Sequence, residues 1–521
     1  MIVFETILVM LTVGVLMLGL ARRWHLPYPV LLALVGVALA LAPIDVEFHI
    51  DPSLVLALFV APVLLDAAYD TSLRDLKRNW GTVLSLALIA VGLTTAAVAL
   101  VVHLLVPTIP WAAAVAIGAI VAPPDAVAAT TVLRDVKLPH RVSVILRNEA
   151  LLNDASTLLI YRLALAAVAS GGGIGAEVIA PAFLLSLVGS VVAGLALAWL
   201  VGLLTQQIED APSSIIFQFV STFGVWVAAE WLGMSPILTI VIYGMTLARL
   251  PSAYPTARLR IPSFAVWETA VVVLNILAFL LIGLELGPVL AAAQADEIGR
   301  WSAIGAAVLA TVIAVRLVWT LAAAFWNRWQ IKRSDAAGKT GTVSSWRTGL
   351  IVGWAGTRGI VTVATALALP GDFPERDMLL FCAFAVTLGT LVIQGLTLRP
   401  LVKALHIEEE DPVAREVREA RVATSDAGIA AVRDDASSGA VALREELARE
   451  RRVAEEATEG DGRPTPPEKA LRAKALVARR KRLLEMRRDG TIGDDAFHLI
   501  EEELDLADLA VATRTKETNI A

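Results

Sequence analysis

The sequence is poor in cysteine and in charge. Its 521 residues include a single cysteine, Cys382, inside an apolar run, which excludes a disulfide framework and a cysteine-ligated metal centre. Charged residues make up 18% of the chain, below the roughly 25% usual for soluble domains. The net charge is −6, and the basic residues lie in short segments rather than along one face, which argues against a nucleic-acid partner.

Apolar residues dominate the chain up to about residue 405. They make up 57% of the whole, and the mean hydropathy is +0.69, which indicates a membrane protein. A helix needs about 20 apolar residues to cross the hydrocarbon layer, and on that criterion the chain has about thirteen spans. We predict them at about 2–20, 26–43, 53–69, 81–106, 110–133, 142–169, 181–205, 213–232, 236–249, 264–288, 301–326, 345–370 and 377–402.

Basic residues alternate between successive loops. One set of loops carries them at 22–23, 74–78, 134–141, 249–260 and 328–347, whereas the opposite set holds Arg300 and Arg376. Lys and Arg in short loops stay in the cytoplasm, so we predict an external N-terminus and a cytoplasmic C-terminus. After residue 405 the chain becomes charged and alanine-rich. We therefore predict a transmembrane domain at 1–405 and a cytoplasmic helical tail at 406–521, which is either a regulatory segment with its own partner or a separate interaction module.

Several predicted spans contain ionisable side chains. Each costs ~2.5–3.5 kcal/mol at the bilayer centre and by default marks a polar pathway. They are Asp66, Asp125, Glu149, Asp154, Glu230, Glu268, Arg316 and Arg358.

The sixth span, which contains "RNEALLNDAST", separates two of these acids by helical geometry. At about 100° per residue, Glu149, Asn153 and Ser156 share one stripe, while Asp154 and Thr157 share another. Glu149 and Asp154 therefore point roughly 140° apart and cannot form a carboxyl dyad on one helix.

The two acids receive different roles. Asp154 is the candidate site for a cation and a proton. Glu149 needs a cationic partner, and Arg358 is the best candidate. Arg316 and Glu268 either form ion pairs inside the bundle or belong to the polar pathway.

The fifth span is broken by the Pro123-Pro124 pair. Prolines lack a backbone N–H, so we expect carbonyls near Ala119 and Ile120 to be freed and Ala122 to leave helical geometry. Asp125 follows at once. Freed carbonyls beside a carboxylate form an oxygen-rich pocket that suits a hard monovalent cation.

The twelfth span has a similar interruption. Gly353, Gly356 and Gly359 weaken the helix around Arg358. Two broken helices leave partial charges at mid-membrane, and Asp125 and Arg358 have the signs that neutralise them.

These features resemble the monovalent cation:proton antiporters, in the branch of bacterial sodium/proton antiporters and eukaryotic sodium/proton exchangers. The resemblance covers most of 1–405 and rests on "PVLLDAA", "ALLNDAST", "AEWLGMSPILTIVIYG", "WETAVVVLNILAFLLIGLEL", "GWAGTRG" and "LVIQGLTLRPLV". It implies an all-α fold of about thirteen spans in inverted repeats with two crossing discontinuous helices. It also implies a homodimer in which a core domain, near 53–169 and parts of 264–402, moves against a dimerisation domain. The tail from about residue 460 resembles those of actinobacterial members, which suggests a bacterial cell membrane.

The resemblance further implies a transporter without an enzymatic activity or a cofactor. Na⁺ or Li⁺ and H⁺ would bind in turn at Asp154, supported by Asn153, with contributions from Asp66 and the Asp125 region; Glu149 would pair with Arg358. Where relatives have a threonine and a serine, this chain has Pro124 and Ala150, so Ser156 or Thr157 would have to complete the coordination shell.

Because Asn153 takes the place of a second adjacent acid, we expect electroneutral 1:1 exchange. A potassium/proton antiporter is the nearest alternative, and a cation channel is a further one. An intramembrane hydrolase would need a His-Glu metal pair or a catalytic Ser/Lys or paired-Asp set, which the spans lack in suitable contexts.

Overall fold

The computed structural model describes residues 2–42, 52–125, 139–170, 176–250, 257–334, 345–406 and 412–456, with isolated positions between 475 and 504. The chain divides into two units, Met1–Ile407 and Glu408–Ala521. Every regular element in the described residues is helical, which confirms the predicted all-α membrane fold.

The described residues of the first unit form a series of helices. They are α1 Ile2–Trp24, α2 Tyr28–Ala40, α3 Pro52–Val55, α4 Ala61–Tyr69, α5 Leu73–Leu84, α6 Val91–Leu105, α7 Trp111–Val121, α8 His140–Ala169, α9 Ala176–Thr205, α10 Ala211–Trp231, α11 Pro236–Leu247, α12 Ala257–Leu284, α13 Leu286–Ala292, α14 Ala295–Ser334, α15 Trp346–Trp354, α16 Ile360–Leu367 and α17 Arg376–Leu405. Two π-helical segments, Leu56–Val60 and Ser85–Ala90, join α3 to α4 and α5 to α6.

Eight helical segments in the described part of the chain are long and apolar enough to cross a membrane, and shorter apolar helices lie between them. The chain is therefore a multi-pass membrane protein. The number of thirteen spans stays a prediction, because part of the fifth span, 126–133, lies outside the described residues.

The first helix break lies where the prolines predict it. Helix α7 ends at Val121, two residues before Pro123-Pro124. The expectation for Ala122 is wrong: it keeps helical dihedral angles, φ −69° and ψ −43°. Proline disfavours helical geometry in the residue before it but does not forbid it, so Ala122 keeps that geometry although helix α7 itself ends at Val121.

The second break lies between α15 and α16. Helix α15 ends at Trp354, and α16 begins at Ile360 after a non-helical stretch. The backbone N–H of Asp125 donates to the Thr357 carbonyl at 2.6 Å, so the two non-helical stretches touch. The discontinuous helices therefore meet at their breaks.

Two buried apolar clusters hold this crossing in place. The larger one contains residues of α7, α8 and α17, for example Ile117, Tyr161 and Phe384. The other joins α4, α10 and α11 and includes Leu151 of α8. Because α8 contributes Tyr161 to one cluster and Leu151 to the other, its middle turns lie between the two clusters.

In residues 412–456 of the second unit two helices, α18 at Pro412–Ala431 and α19 at Ser438–Glu456, pack against each other. Arg444 of α19 donates to the carbonyls of Val432, Arg433 and Asp435 just after α18, which satisfies acceptors that the end of a helix leaves free. The charged segment thus forms a helical hairpin.

Candidate functional site

The site is built where α8 passes the first helix break. Asn153 is fully buried, and its Nδ2 donates to the Pro124 carbonyl at 3.2 Å. Its Oδ1 has no hydrogen-bond partner among the described residues. Asn153 thus ties α8 to the broken helix and keeps an amide oxygen available beside it.

Asp154 lies next to this link and lines two cavities. Its side chain is 7% exposed. One cavity has a volume of about 450 Å³ and also contains Asp125; the other measures about 10 Å³ and also contains Thr157. Within the described part of the chain, no protein group donates a hydrogen bond to the Asp154 carboxylate. A buried carboxylate without a donor is costly unless it holds a proton or a cation.

Acidic residues line the large cavity from several helices. Besides Asp125 and Asp154 they include Asp66, Asp70 and Glu268. Desolvation raises the pKa of Asp70, at the end of α4, and the nearby Arg147 guanidinium partly lowers it again. A cleft lined by carboxylates raises the local concentration of cations. Asp66 and Glu268 line the same cavity as Asp154, as part of this set of carboxylates.

Asp125 lies against the start of α16. A Cβ atom on Gly359, the residue before that helix, would collide with the Asp125 carboxylate. Glycine, which has no Cβ, is the residue that leaves space for the Asp125 carboxylate here. This carboxylate lies at the partially positive N-terminal end of α16. Asp125 thus lines the cavity and also has the sign that compensates a helix end.

Arg358 lies at the C-terminal end of helix α7. It is 1% exposed, and its Nε and Nη2 donate to the carbonyls of Val121 and Ala122 at 3.0 and 3.1 Å. Its Nη1 donates to the Gly356 carbonyl. The carbonyls that obtain this partner are those at the end of α7, not those of Ala119 and Ile120. The guanidinium thereby compensates the partially negative end of the broken helix.

The predicted pairing of Glu149 with Arg358 is wrong. Glu149 receives two hydrogen bonds from Arg316, with Nη1 to Oε1 at 2.5 Å and Nη2 to Oε2 at 2.9 Å. Both side chains are buried, at 1% and 4% exposure. Arg316 also donates to the Val352 carbonyl, near the end of α15, at 3.1 Å. Arg358 is already engaged by the end of α7, so the arginine of α14 neutralises Glu149.

The two candidate hydroxyl ligands differ in position. Ser156 donates to the Ala87 carbonyl in the second π-helical segment at 2.8 Å and to the Asn153 carbonyl at 2.7 Å, so it faces a neighbouring helix. Thr157 donates within α8 to the carbonyls of Asn153 and Asp154, both at 3.1 Å, and it lines the small pocket with Asp154. Thr157 is thus the hydroxyl that shares a pocket with the candidate site.

The cavity wall also contains a polar network that was not predicted from the sequence. Trp267 Nε1 donates to Gln218 Oε1 at 2.6 Å, and Tyr243 Oη donates to Ser221 Oγ at 3.2 Å. All four residues line the large cavity. A glutamine in the apolar run "IIFQFV" is the signal that could have indicated it, because a buried amide needs partners.

Comparisons with known proteins identify the family of the chain. The family model described as sodium/hydrogen exchanger, transmembrane, matches residues 7–404. An uncharacterized Na⁺/H⁺ exchanger of Escherichia coli, YjcE, is 30% identical over 82% of this chain and 82% of its own length. A sodium, potassium, lithium and rubidium/H⁺ antiporter of Bacillus subtilis is 30% identical over 76% of this chain and 61% of its own length.

A solved structure shows the same fold. The sodium proton antiporter MjNhaP1 of Methanocaldococcus jannaschii aligns with 78% of this chain and 99% of its own, with a TM-score of 0.60 and 15% identity. The predicted resemblance is thereby confirmed. The chain belongs to the sodium/hydrogen exchanger family, whose members are cation/proton antiporters of the membrane and not enzymes.

Proposed function

We propose that the protein exchanges Na⁺ or Li⁺ for H⁺, one for one, with both ions competing for Asp154. The observation that carries this proposal is the environment of one carboxylate. Asp154 is buried, lines both cavities and receives no hydrogen bond from the described residues. Charge compensation has to come from a bound ion, and one carboxylate holds either a proton or a monovalent cation.

The neighbouring residues support the binding of a cation. The free Oδ1 of Asn153 and the carboxylate of Asp125 supply oxygen atoms near Asp154, and Thr157 and Asp66 are further candidate ligands. Hard monovalent cations prefer such oxygen ligands. Ser156 is the weaker candidate, because its hydroxyl is bonded toward Ala87.

The charges around the crossing support electroneutral exchange. In their ordinary ionisation states, Asp125 and Arg358 cancel, and so do Glu149 and Arg316. Asp154 then leaves one negative charge that either cargo ion neutralises. A loaded site is neutral in both cases and crosses the membrane at low cost, whereas the empty anion does not.

The large cavity supports a conformation open to the cytoplasm. Asp70, Arg147, Leu247 and Phe264 line it, and each lies near the helix ends that adjoin the basic loops. Those loops are cytoplasmic by the positive-inside rule. We accordingly propose a cytoplasmic C-terminus, a location in the cell membrane and a homodimer of the kind that the resemblance implies.

K⁺/H⁺ exchange is the second candidate. Two positions of the site lack the hydroxyl that relatives carry, Pro124 and Ala150. The Bacillus subtilis relative is described as an antiporter of sodium, potassium, lithium and rubidium. A shell with fewer fixed ligands discriminates less sharply between alkali cations.

Proton flux into proteoliposomes, reported by a pH-sensitive dye, tests both candidates. Na⁺, Li⁺ and K⁺ are added in turn, at zero voltage and with an imposed potential. Saturable flux that does not depend on the potential is expected for 1:1 exchange. Asp154→Asn should abolish the flux and leave the protein folded, while Glu230→Gln, a change remote from the crossing in sequence, should keep it. Retained flux in Asp154→Asn would refute the assignment.

A further inference from the structure

A second pocket lies beyond Asp154 along α8. Arg147 and Leu151 come before Asp154 in the helix and line the large cavity, whereas Leu158 and Tyr161 come after it and line the small pocket. At about 1.5 Å per residue, Arg147 and Tyr161 each lie about 10 Å from Asp154 along the helix axis, in opposite directions. Asp154 therefore lies at the partition between a wide space and a nearly closed one.

The small pocket is nearly closed by the side chains that line it. Its volume of about 10 Å³ leaves scarcely enough space for one water molecule. Its lining includes Val361 and Thr365 of α16, Leu56 of the first π-helical segment and Ile237 of α11. Ions cannot reach Asp154 through this pocket unless these walls move apart.

Tyr161 has an unusual position in this closed wall. Its side chain is 5% exposed, and its hydroxyl has no hydrogen-bond partner among the described residues. Buried hydroxyls without partners are rare in native proteins, because each loses its hydration without compensation. A phenol in this position gains a partner as soon as water enters the pocket.

We propose that Tyr161 is the gate of a second access route to Asp154, on the side opposite the large cavity. This inference rests on the proposed exchange function, because exchange requires that Asp154 become reachable from both sides. In the present conformation the ring is buried and lines the closed pocket together with Val361 and Thr365 of α16. When the walls separate, the hydroxyl binds water that accompanies the ion, so hydration of the route stabilises the open form.

Thiol labelling tests the route directly. The native cysteine, Cys382, is buried, and Cys382→Ser supplies a cysteine-free background. In proteoliposomes, Tyr161→Cys is treated with a membrane-impermeant maleimide on either face, and Leu151→Cys in the large cavity is the matched control. We expect Leu151→Cys to react from one face and Tyr161→Cys from the other. Reaction at Tyr161→Cys should accelerate when a cation gradient drives exchange, because the rate follows the population of the open form.

The outcomes separate the gate from the transport function. Reaction of both cysteines from the same face, or no reaction of Tyr161→Cys while cation/proton flux persists, would overturn the gate. If the cysteine-free background carries no cation-coupled proton flux, the proposed function fails, and the side from which each cysteine reacts still reports the route.

A conservative variant probes the hydroxyl without removing the ring. Tyr161→Phe should fold normally, since no hydrogen bond is lost in the closed form. It should lower the maximal exchange rate about fivefold, the equivalent of one hydrogen bond to water in the open form, with the half-saturating cation concentration unchanged. An unchanged maximal rate would show that the phenol hydroxyl has no part in opening.

Discussion

The pairing of Glu149 with Arg316 leads to a strong prediction about stability. Both oxygens of the Glu149 carboxylate accept from the guanidinium, at 2.5 and 2.9 Å, and neither side chain is more than 4% exposed. The change Glu149→Gln keeps the shape and removes the charge. It leaves a buried guanidinium uncompensated, which costs about 3–5 kcal/mol of unfolding free energy.

A double-mutant cycle identifies the partner. Arg316→Met combined with Glu149→Gln removes both charges, so the pair of changes should cost less than the sum of the two single changes. A cycle of Glu149→Gln with Arg358→Met should show a smaller coupling energy, because Arg358 donates to backbone carbonyls instead.

The assay is reversible unfolding in mixed micelles, followed by tryptophan fluorescence. Glu268→Gln is the matched control, since the Glu268 side chain is exposed and lines the cavity, and it should change the unfolding free energy by no more than about 0.5 kcal/mol. If Glu149→Gln costs less than about 1 kcal/mol, or if its coupling to Arg358 exceeds that to Arg316, the assignment of the pair is refuted.

Three further predictions concern the site and the cavity mouth. Asn153→Ala removes the bond to Pro124 and should raise the half-saturating cation concentration in the flux assay, with an unfolding cost of about 1 kcal/mol; an unaltered cation dependence would contradict it. Gly359→Ala places a Cβ on the Asp125 carboxylate and should abolish flux, and Gly359→Ala with Asp125→Ala should recover thermal stability if this collision is the cause. The raised pKa of Asp70 means that its contribution to stability is complete below its unfolded pKa and is lost as pH rises through the folded one, so Asp70→Asn should flatten the melting-temperature profile just above the usual aspartate range, which thermal scans across pH would test.

Much of the fold was predictable because local physics determines it. Apolar length indicates the membrane helices, and the Pro123-Pro124 pair indicates where α7 ends, since proline cannot continue the backbone hydrogen-bond pattern. The opposite directions of Glu149 and Asp154 follow from the helical repeat, and the structure agrees: one contacts α14, and the other lines the cavities.

The partners of buried charges were not predictable in the same way. Arg316 and Arg358 both lie in predicted spans, and periodicity does not say which of them faces Glu149. The decision depends on how α8, α14 and α15 are arranged, because the ends of both broken helices compete for guanidinium groups. The hydrogen-bond partner of Ser156 was not predictable either. Its acceptor, the Ala87 carbonyl, belongs to a π-helical segment that has no clear signal in the sequence.

The two helix ends at the crossing explain why both arginines are needed. Arg358 donates to the last carbonyls of α7, and Arg316 donates to a carbonyl near the end of α15. Each broken helix therefore ends at a guanidinium group, and among the described residues Arg316 forms an ion pair with a carboxylate, Glu149, whereas Arg358 does not. Asp125, which lies against Gly359 at the start of α16, has the sign that compensates the positive charge of Arg358. In the exchange that we propose, these cancelled charges leave the net charge of the crossing to Asp154, which one bound proton or one alkali cation neutralises.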